Sequence, residues 1–142
     1  MKENDVVELF SQGFDCGQVV LGEMSSKLEI DIETARRMSA CFGAGMFDGD
    51  TCGAITAAYM ALGLKYGHDK PFDGDSKVEN MMKLTQFKDE FLHNHNSLIC
   101  RDLLGYDITN PDDSEKISEK NLLMTFCPKL VVEVIEILDN IL

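Results

Sequence analysis

The sequence predicts an all-α protein, a compact bundle of about five to seven helices folded as one domain over residues 1–142. Three observations lead there. Apolar residues recur three and four positions apart, as in Ala54, Ala57, Ala58 and Ala61. Capping and breaking residues divide the chain at helix-length intervals. Strand-like alternation never persists beyond a few residues.

A first helix is expected from about Asn4 to Gln12, with Val6, Val7, Leu9 and Phe10 as its apolar side and Gly13 as its breaker. Asp15 is placed to cap a second from Cys16 to about Leu28, and Asp31 a third from Ile32 to about Ala40. The run from Phe42 to Asp50 holds three glycines and reads as a turn. Asp50 or Thr51 should cap a fourth helix ending at Tyr66 before Gly67. Its four alanines form a small-residue stripe that lets a neighbouring helix come close. After a loop from His68 to Asp75, Ser76 and Glu79 have capping-box spacing for a fifth helix. Its apolar side would be Met81, Leu84, Phe87, Phe91 and Leu92. Ser97 should cap a short helix that carries Cys100 and stops at Gly105. A polar helix spans about Ser114 to Met124. The last helix should open at Cys127-Pro128, with proline in the favoured first turn. The apolar side of that helix, Val131, Val134, Ile135 and Leu138, could serve a core or a homodimer, with core the default.

Composition narrows the function. The 13 basic and 25 acidic residues leave a formal charge of −12, a surface that repels phosphate backbones and anionic head groups. Nucleic-acid binding is therefore not expected. The polar start, Met1-Lys2-Glu3-Asn4-Asp5, lacks the apolar stretch of a secretory signal. No apolar run is long enough for membrane insertion. These features predict a cytoplasmic protein, where thiols stay mostly reduced. Five cysteines, an odd number, also argue against a secreted disulfide framework.

The cysteines are the candidate chemistry. No pair has Cys-x-x-Cys spacing, which excludes a c-type haem attachment and the thioredoxin-like motif. On the predicted helices, however, Cys16, Cys52, Cys100 and Cys127 each fall at or in a first turn. There unpaired backbone N–H groups favour an anion and lower a thiol's pKa. If those helix starts meet, they form a pocket for four sulfurs. Cys41 ends a helix beside Phe42 and reads as core filler. His68, His93 and His95 lack the i, i+4 arrangement of a helical metal site and read as surface residues. Gly43-Ala44-Gly45 lacks the lysine of a phosphate cradle, and the acids from Asp107 to Glu119 lack the spacing of a calcium loop. Met81 and Met82 read as core filler.

These cysteines and their neighbours resemble the C-GCAxxG-C-C family, described as redox-active. The matching residues are Gly13 to Cys16, Phe42 to Met46, Thr51 to Ala57, Leu62 to Gly67, Cys100 to Gly105 and Cys127 to Lys129. One departure is Ala57, where the motif expects glycine. Alanine is nearly as small, so slightly looser packing and unchanged chemistry are expected. The resemblance implies that Cys16, Cys52, Cys100 and Cys127 are the family cysteines. It also implies redox chemistry or an iron centre, and a link to transporters through gene neighbourhood.

Three functions remain open. The first is a redox protein whose four cysteine thiolates, Cys16, Cys52, Cys100 and Cys127, bind an iron–sulfur cluster or a single iron or zinc ion. The second is a metal-free thiol–disulfide oxidoreductase with Cys52 as nucleophile. The third is a non-catalytic redox- or metal-sensing partner of a transporter; the partner expected under these readings is a redox protein or a transporter.

Overall fold

The computed structural model describes all 142 residues. Eight α-helices form, seven of them seven residues or longer: α1 (Glu3–Ser11), α2 (Cys16–Met24), α3 (Ile32–Met38), α4 (Gly53–Tyr66), α5 (Gly74–Asn94), the short α6 (Cys100–Leu104), α7 (Pro111–Glu119) and α8 (Leu122–Ile141). The all-α expectation holds, and the count slightly exceeds five to seven. The one extended pairing is an antiparallel bridge between Thr51 and Ile99.

At the centre lies α4. Its alanine stripe, Ala54, Ala57, Ala58 and Ala61, is fully buried, and α2 packs against it more extensively than any other helix. Side chains that stop at Cβ allow this approach. On the other sides α4 meets α5 through Phe87 and Phe91, both fully buried, and α8 through its apolar face. Val131, Val134, Ile135 and Leu138 are buried there, so that face belongs to the core. The Tyr66 hydroxyl donates to the Ile141 carbonyl at 2.7 Å and pins the C-terminal ends of α4 and α8 together. His95, stacked on Phe91, pairs with Glu133 at 2.6 Å and joins α5 to α8. It is thus half-buried, unlike the surface residue expected.

Several boundaries differ from expectation for local reasons. Asp73 accepts the Ser76 N–H at 3.1 Å, so α5 begins two residues before Ser76. Asn110 accepts the N–H groups of Asp112 and Asp113, which starts α7 at Pro111. Asp31 caps α3 as expected, accepting from Thr34. The largest departure is α8, which begins at Leu122 after a left-handed Asn121. Pro128 therefore lies inside a helix rather than at its start, and its missing N–H leaves the Met124 carbonyl without its helical partner.

The outer face of α5 departs too. Met81 and Met82 are 56% and 67% exposed, because only Phe87, Phe91 and the half-buried Leu84 of its apolar residues face α4 and α8. Cys41 is exposed in the turn after α3 and is not core filler.

Two apolar clusters result. The main one joins α1 to α5 with α8, and Cys52 is a member with Cys16 at its margin. A small one contains Cys100, Leu104 and Ile117, with Cys127 at its margin.

Burial predicts a sharp contrast within α5. Phe87→Ala should cost about 3–5 kcal/mol, whereas Met82→Gln should stay within about 0.5 kcal/mol of the parent. Urea unfolding followed by circular dichroism measures both; equal midpoints for the two variants would contradict this packing.

Candidate functional site

Cys16 occupies the first turn of α2. Its helix start is held by Gln18, whose Oε1 accepts the Asp15 N–H at 3.0 Å and whose Nε2 donates to the Arg36 carbonyl at 3.1 Å. The Arg36 guanidinium lies 4.2 Å from the centre of the Phe14 ring, so the approach to α2 is clamped onto α3.

The sulfur of Cys16 then meets the start of α4. A methyl group on Gly53 would stand 2.6 Å from Cys16 Sγ and 2.5 Å from the Phe42 carbonyl oxygen, so only glycine fits there. Gly17 makes the reciprocal approach, its would-be methyl 3.1 Å from the Gly53 carbonyl oxygen. Cys52 is the N-cap residue of α4. The positive end of that fourteen-residue helix therefore lies beside both sulfurs.

A third element closes over them. Ala44, Gly45, Met46 and Phe47 have φ of 50°, 63°, 59° and 57°, one turn of left-handed helix. Three of these residues are not glycine, and each left-handed residue costs roughly 1–2 kcal/mol. The turn is held by the Asp50 N–H, which donates to the Gly45 carbonyl at 3.0 Å. Its product is an N–H: the Ala44 backbone points at Cys16, joined by the N–H of Gly17.

These groups set the electrostatics of the pair. A hydrogen bond from the Cys52 thiol, helped by the Ala44 and Gly17 N–H groups and opposed by burial and the Asp15 charge, brings Cys16 down to about 7. Cys52 moves strongly the other way, because it is the donor in that bond and because it is buried beside the Cys16 charge. The lower of the two thiols is thus Cys16, beside the Ala44 and Gly17 N–H groups, and the higher is Cys52.

Cys100 and Cys127 come from the smaller cluster. The Cys52 N–H donates to the Leu98 carbonyl at 2.9 Å and the Cys100 N–H to the Asp50 carbonyl at 2.6 Å, so one antiparallel bridge ties the starts of α4 and α6. Cys127 projects from the second turn of α8 rather than from a helix start, a correction to the sequence expectation. Burial raises both thiols, Cys100 to about 11 and Cys127 to about 12, and the Cys16 charge adds to each.

All four cysteines line one cavity of about 190 Å³ at the seam between the two clusters. Twelve of its fourteen lining residues are hydrophobic, and Asp15 is its only carboxyl. Burial raises the Asp15 carboxyl above the ordinary range. Cys41, exposed in the turn after α3, takes no part. Sequence reasoning missed Asp15 as a wall of this cavity, although its position as a cap beside Cys16 was visible. It also missed Ala44, whose contribution is a backbone N–H that no side-chain pattern marks.

The model of the family described as "Putative redox-active protein (C_GCAxxG_C_C)" matches residues 14–141, nearly the whole chain. The chain belongs to that family. The match spans all four cysteines of the cavity, the left-handed turn and the Gly53 contact. Comparison with curated proteins and with solved structures found no match. No helix is long and apolar enough to cross a membrane.

Four soft sulfurs lining one cavity suit iron or zinc chemically. Yet nowhere do three Cys, His, Asp or Glu side chains gather closely enough to hold one ion. A single tetrahedral ion would need the four sulfurs drawn closer together than they stand here.

The site's two constraints respond oppositely to substitution. Gly53→Ala should lower stability by about 1–3 kcal/mol and shift the Cys16 thiol titration. Phe47→Gly should raise stability by roughly 1 kcal/mol, since it relieves a left-handed residue whose ring is mostly exposed. Thermal unfolding of both variants, with thiolate absorbance against pH for the first, provides the check.

Proposed function

We propose that this family member is a thiol–disulfide redox protein in which Cys16 is the attacking thiolate and Cys52 the resolving thiol. The observation that carries the reading is the Cys16 sulfur held between the start of α4 and the Ala44 N–H, with the Cys52 thiol donating to it. A helix start is among the environments that lower a thiol's pKa. This reading exchanges the roles expected of the pair, because the hydrogen bond to Cys16 and burial both push the Cys52 thiol up.

The sequence of events follows from these positions. Cys16 attacks a disulfide sulfur and becomes half of a mixed disulfide, losing its charge. Cys52 is then no longer held by a neighbouring anion. Its proton passes to water. Cys52 next attacks the Cys16 sulfur and releases the second thiol. Cys100 and Cys127, neutral at ordinary pH, line the same cavity as a reserve pair of thiols. Free thiols of this kind suit a reducing compartment such as the cytoplasm.

A second reading, an iron–sulfur cluster held by Cys16, Cys52, Cys100 and Cys127, is favoured by one observation: the four share a single apolar cavity. Such a cluster would supply one-electron transfer. The lack of any three ligands converging on a point favours the thiol reading instead.

Two measurements test the choice. Alkylation of Cys16 by iodoacetamide, followed by peptide mass spectrometry, should show a pH midpoint near 7. Cys52→Ala should move that midpoint upward, because it removes the hydrogen bond to the thiolate. Cys52→Ser should trap a mixed disulfide on Cys16, and Cys16→Ser should form none; trapping on Cys52 instead would restore the opposite assignment. Iron and acid-labile sulfide assayed in protein purified without oxygen should be substoichiometric. Stoichiometric iron with sulfide and a visible charge-transfer band would establish the cluster and overturn the thiol reading.

A further inference from the structure

The walls of the cysteine cavity also bear on what Cys16 attacks, an inference that rests on the thiol–disulfide reading above. The cavity, about 190 Å³, is only a little larger than the roughly 150 Å³ that accommodates a benzene-sized molecule. It therefore has room for one end of a small disulfide and not for a peptide. Phe10, Phe14, Ile108, Leu123 and Met124 are all on its lining. Leu123, 43% exposed, marks the rim. Among the lining residues there is no Lys, Arg or His to pair with an anionic group, and the one charged side chain is the Asp15 carboxyl next to Cys16. The protein's charge of −12 adds a repulsive field outside.

A substrate carboxylate entering here would lose its water, find no cation and face Asp15. An alkyl or hydroxyalkyl group would lose little water and gain apolar contact. We infer that the cavity selects small, uncharged disulfides of low molecular weight and turns away those carrying carboxylates, including anionic peptide disulfides.

The reaction balances within the pair. The Cys16 thiolate bonds to one sulfur of R–S–S–R, the substrate S–S bond breaks, and one RS⁻ leaves and takes up a proton from water. Cys52, deprotonated, then bonds to the Cys16 sulfur, and the second RS⁻ leaves and is protonated in turn. Two electrons pass from the protein dithiol to the substrate disulfide, giving two RSH and a Cys16–Cys52 disulfide. An external dithiol reduces that disulfide again.

The test uses the reduced full-length chain in stopped-flow with hydroxyethyl disulfide, which is uncharged, and dithiodipropionate, which carries two carboxylates. Each rate is divided by that of a free cysteine derivative with the same reagent. The normalised preference for the uncharged disulfide should be about tenfold or more. Asp15→Asn, which keeps a capping side chain, should reduce that preference, and Leu123→Lys at the rim should reduce it severalfold. Equal normalised rates would overturn the selectivity while leaving Cys16 as the reactive thiol. So would a preference unmoved by both substitutions, since it would not arise in this cavity. Failure of Cys16 to react with either reagent would overturn the thiol–disulfide reading itself, and the selectivity with it.

Discussion

The contact on which this protein depends is the approach of Cys16 Sγ to the backbone of Gly53. A sulfur cannot come this near the start of another helix if the residue it meets there carries a side chain. The contact therefore sets the crossing of α2 and α4, the most extensive helix packing in the molecule. It also decides the chemistry, because the same approach brings Cys16 beside Cys52 at the positive end of α4. Packing and reactivity are thus one constraint: the alanine stripe of α4 lets the helices close, and the closure delivers the sulfur.

The left-handed turn from Ala44 to Phe47 belongs to the same constraint. Unfavourable backbone of this kind persists only where its surroundings over-determine it, and such places cluster at functional sites. Here the surroundings are identifiable. Gly45 folds back so tightly on Asp50 that an added methyl would be 2.5 Å from the Asp50 nitrogen and carbonyl oxygen. Asp50 in turn accepts from Cys100, which links the strained turn to the second cysteine cluster. The Thr51–Ile99 bridge completes a short, rigid seam with two cysteines on either side of it. A cavity at a seam between two clusters can be apolar, partly open and lined with sulfur at once, which the middle of a single close-packed core cannot.

Legibility followed the range of the physics involved. The start of α2 was readable because Asp15 and Gln18 act within four residues of it. The core face of α8 was readable because its apolar spacing repeats over the helix. The start of that helix was not, since Cys127-Pro128 has a legitimate first-turn pattern and only the left-handed Asn121 shows that the helix begins earlier. Met81 and Met82 looked like core for a similar reason: an apolar residue's spacing does not say whether a neighbouring helix reaches that far along α5. The identities of the four cavity cysteines came from their order and surroundings in the chain, but the roles of Cys16 and Cys52 did not. Two thiols at two helix starts look alike until their burial and the backbone N–H groups around each are known.

The sequence by itself determined the all-helical class, the small-residue surface of α4, the separation of Cys41 from the other four cysteines, and the family. Each of these is written in local spacing, capping chemistry or residue order. Only the tertiary structure decided that the four sulfurs share one cavity, that Cys16 lies against the start of α4 beside Cys52, and that no three ligands meet at a point. Those outcomes turn on distances of a few ångströms between residues up to 111 positions apart, from Cys16 to Cys127. Hydrogen bonding and desolvation change over just such distances, and no periodicity along the chain encodes them.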